Sequence, residues 1–122
     1  MTRRTLLVYN PSAREARAYA SLVRVPRRGV TVHVASTPGE ADPALRDTEI
    51  LYAWGFPASL LTRMPGLRWI QCMGAGVERF LGPELPARVV VTRAAGIFGP
   101  WMAEYALGWC LWVTQRMELF RE

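Results

Sequence analysis

The stretch that most constrains this chain is LRWIQCMGAGVERF, residues 67–80. A compact apolar run containing Trp69, Ile70, Cys72 and Met73 passes directly into Gly74-Ala75-Gly76-Val77 and then into a polar segment suited to a helix start. That succession reads as a buried strand, a tight turn and a helix start. In an open α/β sheet such a turn lies at the carboxyl end of a strand, where ligands bind. Glycines there let backbone N–H groups converge on an anion, because no side chain blocks the approach. The residues alone leave two readings open, a bland tight turn and an anion site.

The rest of the chain supplies partners for that strand. Residues 5–9 (TLLVY) form a short apolar strand ended by Asn10-Pro11. Ser12, with Glu15 three residues later, has the spacing of a capping box. Ala16, Tyr19, Ala20 and Val23 then fall on one face of a helix over residues 13–23, closed by Pro26 and Gly29. Residues 30–35 (VTVHVA) read as a second strand and residues 49–54 (EILYAW) as a third. Between them a short helix over residues 43–46 is expected. A brief helix over residues 58–64 ends at Pro65-Gly66, the fourth strand covers residues 67–73, and residues 89–92 (VVVT) make a short fifth. Strands alternating with helical segments imply a parallel sheet with right-handed crossovers.

Residues 101–120 differ in character. They form a long helix entered through Gly99-Pro100, with apolar residues Trp101, Met102, Tyr105, Trp109, Trp112 and Val113 around most of its circumference. A helix apolar on nearly all sides demands burial on nearly all sides. A small sheet covers only one face, so a second domain or another subunit is expected to cover the remainder.

Composition narrows the class. With 122 residues, 51% of them hydrophobic, the chain has one ordinary domain's worth of core. All 15 basic residues are arginine and the formal charge is +5. Apart from Arg3-Arg4 and Arg27-Arg28 they are scattered, which disfavours a nucleic-acid surface. Two distant cysteines, Cys72 and Cys110, make neither a disulfide framework nor a zinc site and are expected as buried free thiols. The N-terminal apolar run is too short for a signal peptide and no window matches a membrane span, so the expected location is cytoplasmic.

Gly74-Ala75-Gly76 invites comparison with the dinucleotide fingerprint G-x-G-x-x-G, but its third glycine position holds Arg79. No βαβ unit with a ribose-binding acid follows. His33, the chain's one histidine, sits mid-strand between valines and reads as structural. Trp54, at the end of the third strand, lies at the same sheet edge as the Gly74 turn and either walls a pocket or packs on its loop. Glu78 and Arg79 read as solvated. Arg93 follows the fifth strand and could add bidentate anion recognition. No catalytic triad or metal-ligand cluster is visible.

LRWIQCMGAGVERF followed by VVVTRAAGIFGPWMAEYALGWCL resembles the D-isomer-specific 2-hydroxyacid dehydrogenases, most of all the glyoxylate/hydroxypyruvate reductase A type. The strand with its GAGV turn, the approach from Arg93 to Gly96, the M-A-E-Y helix start and the Trp54–Pro57 loop match in order. The resemblance implies a flavodoxin-like five-stranded parallel sheet of strand order 2-1-3-4-5 with a protruding C-terminal helix. It divides the chain into the N-terminal part of a substrate-binding domain, residues 1–98, and a helix, residues 99–122, crossing toward an NAD(P) domain absent from this chain.

By the same resemblance, backbone N–H groups of Ala75, Gly76 and Val77 hold a 2-ketoacid carboxylate. Trp54 lines the pocket, Arg93 contributes, and Met102 approaches the nicotinamide of NAD or NADP. The family's fingerprint, catalytic arginine, acidic partner and general-acid histidine match nothing here, so no catalytic residue is expected and the chain reads as an inactive, truncated member. The rival expectation is a non-catalytic module that self-associates or docks a partner through its Trp-rich helix. Neither reading involves nucleic acid or membrane.

Overall fold

The computed structural model describes residues 3–24 and 29–120. Five strands, β1 (Arg4–Tyr9), β2 (Val30–Ala35), β3 (Thr48–Ala53), β4 (Trp69–Cys72) and β5 (Val90–Thr92), form one sheet in the order β2-β1-β3-β4-β5. Every pairing is parallel. The expected flavodoxin-like architecture is therefore present. The crossovers are α1 (Ala13–Leu22), α2 (Pro38–Leu45) and two 3-10 segments, Ala58–Arg63 and Glu78–Phe80.

The sheet faces differ because side chains alternate along each strand. Leu7, Leu51 and Ile70 stand in one cross-strand row, and Tyr9, Ala53 and Cys72 in the next. All six are buried with Leu45, Phe56, Leu61 and Met64 beneath α2 and the first 3-10 segment. Each large aliphatic side chain there contributes about 1.5–3 kcal/mol. On the other face, α1 packs Ala16 against the sheet and sets Tyr19 edge-on to Tyr52, with ring centroids 5.7 Å apart. Beyond the reach of α1, Trp69 and Val90 stay exposed.

Several local expectations change. The capping box at Ser12 is half formed. Ser12 Oγ accepts the Glu15 N–H, but the Glu15 carboxylate turns to Asn10 Nδ2 and the Ser12 N–H donates to Asn10 Oδ1. A buried asparagine at the strand end replaces the reciprocal bond. The helix expected over residues 43–46 begins earlier, at Pro38, because Thr37 caps it and the Glu40 carboxylate accepts from both the N–H and the hydroxyl of Ser36. Pro43 sits inside it. Pro26 and the Arg27-Arg28 pair lie outside the described residues.

The long C-terminal helix is two pieces. α3 (Gly99–Thr114) ends where Arg116 takes a left-handed φ of 49°, and a 3-10 turn, Met117–Phe120, completes the segment. No residue of α3 is buried. Cys110 is accordingly exposed and only Cys72 is the buried thiol expected of both.

Candidate functional site

Three loops meet at the carboxyl edge of the sheet, after β1, β3 and β4. Between them lies a cavity of about 350 Å³, walled by Pro11, Trp54, Gly74, Gly76, Glu78 and Arg79, with Ala53 and Cys72 at its base. The sequence makes this room. Row partners Ala53 and Cys72 are small, so the sheet edge recedes where Phe56, edge-on to Tyr9 at 5.1 Å, fills only the inner part.

The loops are fitted to one another. Gly55 turns the chain after β3 with φ at +64°, and a β-carbon on it would stand 3.2 Å from Pro11 Cγ. Trp54, 54% exposed, lays its indole against Gly74. Asn10 reaches across from β1 and donates to Met73 Sδ at 3.7 Å as well as to Glu15.

The turn after β4 is held at its ends and open in its middle. The Met73 N–H donates to Ala53 O, and Gly74 O accepts the Ala94 N–H. Arg93 Nη1 donates to Ala75 O at 3.1 Å. Among the described residues, the backbone N–H groups of Gly74, Ala75, Gly76 and Val77 donate to no protein acceptor. Four successive N–H groups without partners, beside a cavity, form a surface suited to an anion. The helix start expected after this turn is absent. In its place stands the three-residue 3-10 turn Glu78–Phe80, too short to carry a helix macrodipole of its own.

Of the residues singled out in the sequence, Trp54 and Gly76 line the cavity, and Ala75 and Val77 lie in its loop. Arg93 stands behind that loop and grips its carbonyl. Met102 is exposed on α3 and does not line the cavity. His33 is exposed on the edge strand β2.

Pro11, Glu78 and Arg79 are cavity residues that the sequence does not mark as such. The two charged ones look merely solvated in sequence; both are exposed, yet both border the site. Their place directly after the glycine turn is the one hint of this. Burial first, and then the nearby Glu78 charge, push the Cys72 thiol up from its usual 9.0. Cys72 is thus held as the neutral thiol rather than as a nucleophile.

Among the described residues no group of three or more His, Cys, Asp or Glu could hold a metal ion, and no helix is long and apolar enough to cross a membrane. The cavity does not fit a dinucleotide. Arg79 occupies the position where close helix–strand packing wants glycine, and the turn leads into a three-residue 3-10 segment rather than a helix whose N-terminus could receive a pyrophosphate.

A doubly wound parallel sheet of this strand order, with a cavity at its carboxyl edge, defines the class as a flavodoxin-like α/β fold. The structure is similar, at a TM-score of 0.79, to the crystal structure of a D-isomer specific 2-hydroxyacid dehydrogenase family protein from Aeromonas salmonicida subsp. salmonicida A449. The two chains are 28% identical, and the match covers 98% of this chain and 38% of that one. The resemblance to the D-isomer-specific 2-hydroxyacid dehydrogenase family drawn from the sequence therefore holds across nearly the whole fold. It is a likeness to the family and carries no subtype. In sequence, the chain is 34% identical over 71 residues to an uncharacterized protein in the mprR 3' region of Streptomyces coelicolor, 58% of this chain and 26% of that protein. No family model matches.

Proposed function

We propose that this chain supplies the carboxylate-binding half of an NAD(P)-dependent 2-hydroxyacid dehydrogenase site acting on glyoxylate- or hydroxypyruvate-like 2-ketoacids, and that it transfers no hydride alone. The observation that carries this is the run of N–H groups without partners at residues 74–77, beside a cavity walled by Trp54. In this reading Ala75, Gly76 and Val77 donate to the substrate carboxylate and Trp54 closes one side. Arg93 braces the loop through Ala75 O and adds positive charge near the bound anion.

Hydride transfer needs a cofactor held against the substrate and a proton donor within reach. The chain's one histidine, His33, is on the far edge strand, so those parts are assigned to an NAD(P) domain outside residues 1–98. Residues 99–122 lead toward that domain, with Met102 facing the nicotinamide of NAD or NADP. A location in the cytoplasm accords with such an enzyme.

The test is an amide-detected NMR titration of the chain with glyoxylate and D-glycerate. The expected result is shifts confined to residues 74–77 and the Trp54 indole. Titration to saturating acid without such shifts overturns the reading. Oxidation of NADH with glyoxylate by the purified chain overturns the claim that it lacks hydride transfer.

A second reading rests on α3. Sixteen mostly apolar residues form this helix and none is buried, which supports a reading of α3 as an interface with a second copy or with the cofactor domain.

A further inference from the structure

The carboxylate-binding loop has a carboxylate beside it. Glu78 borders the cavity, and its side chain folds back over the turn. A β-carbon on Gly76 would stand 2.8 Å from Glu78 Oε2. Among the described residues neither oxygen of Glu78 has a salt-bridge or hydrogen-bond partner. The Cys72 thiol on the cavity base is raised first by burial and then by the nearby Glu78 charge, in keeping with the place of Glu78 in the cavity wall. The opposite wall is the Trp54 indole, and Arg79 completes the polar side.

An anion bound by residues 74–77 therefore lies within reach of an ionised acceptor. The two negative charges repel, and that cost falls on every carboxylate ligand alike. A ligand with a hydroxyl on the carbon next to its reacting centre recovers it, because an O–H donated to an ionised carboxylate is about twice as strong as a neutral hydrogen bond. A methyl at that position offers Glu78 no donor in place of the water it displaces. A second carboxylate meets direct repulsion.

We infer that Glu78 is the specificity-determining residue of this site: its carboxylate, placed over Gly76 beside the free N–H groups, selects acids with a hydroxyl at C3 over those with a methyl or a second carboxylate. The inference rests on the carboxylate-binding reading above.

The experiment titrates the full chain with D-glycerate, D-lactate and tartronate, following the amides of residues 74–77. It is repeated for Glu78→Ala, which removes the acceptor, and for Glu78→Gln, which keeps an acceptor but not the charge. D-Glycerate should bind about tenfold more tightly than D-lactate, the worth of one hydrogen bond to a charged group. Glu78→Ala should bring that ratio to within about twofold, and Glu78→Gln should tighten tartronate by about tenfold. Unfolding temperatures check that both variants fold, as an exposed position allows. If the three acids bind at residues 74–77 in an order that neither variant changes, the inference fails while the carboxylate reading stands. If no acid binds there, both fail.

Discussion

The Trp54 indole fills the space that a β-carbon on Gly74 would need. Such an atom would collide with Cζ3 of the ring and stand 3.1 Å from Cε3 and 3.2 Å from Cη2. Gly74 is thus required by its neighbour rather than by its own backbone, since its φ is not positive. The glycine turn and the tryptophan, 20 positions apart in sequence, form one fitted wall.

Gly74→Ala must push the ring outward. Trp54 is half exposed and can yield, so the stability cost should stay near the low end of overpacking, about 1 kcal/mol. Ligand binding should suffer more, because the wall moves. Unfolding curves for Gly74→Ala, Trp54→Ala and the double variant measure the coupling. The alanine at 74 should cost almost nothing once the indole is gone. Additive costs would show that the two residues do not touch.

The two thiols should separate cleanly in reactivity. In dilute solution a disulfide reagent should modify Cys110 on exposed α3 at once and reach Cys72 only on unfolding. Burial raises the folded pKa of Cys72 above 9.0, so its contribution to stability is complete below that value and is lost as pH rises through the folded pKa. Fast native reaction of both thiols would contradict the burial of Cys72.

Glu40 sets an acid limb of stability. The Ser36 N–H first, and then its hydroxyl, hold the Glu40 carboxyl below the ordinary 4.5. A depressed folded pKa gives stability that is present above 4.5 and lost as pH falls through the folded value. Glu40→Gln should lower the unfolding temperature at neutral pH and flatten its dependence on pH below 4.5. Parallel pH profiles for the two proteins would show that the Ser36 bonds carry no charge-dependent stability.

Most of the sheet was legible because its strands are runs of β-branched and aliphatic residues between turn residues, and parallel crossovers leave few topologies. The start of α2 was not. Pro38 and Gly39 are residue types that favour turns, and the Thr37 and Glu40 bonds that overrule this cannot be weighed from composition. The break at Arg116 gave no signal, since a left-handed arginine has no sequence mark. In the site, Trp54 and the Gly74 turn were legible as neighbours at one sheet edge. Glu78 was not, because a charged residue after a turn looks solvated until its side chain is seen folded over Gly76. Arg93 was legible at the right edge, but its bond to Ala75 O makes it a brace of the loop, which spacing alone could not tell.

The C-terminal helix gives the last test. α3 is apolar around its circumference and has no buried residue, and its main packing is onto the short Met117–Phe120 turn. Burying one of its large side chains between copies is worth about 1.5–3 kcal/mol, or roughly tenfold or more in a dissociation constant. The chain should therefore show a mass that rises with concentration in light scattering. Because no single face of α3 dominates, two pairs of substitutions are needed. Trp109→Glu with Val113→Glu charges one face, and Leu107→Glu with Leu111→Glu charges another. The pair that restores the monomer identifies the docking face. Its unfolding temperature in dilute solution should match that of the parent, since α3 contributes no buried residue to the sheet's core. A parent chain that stays monomeric at high concentration would remove α3 as a self-association surface.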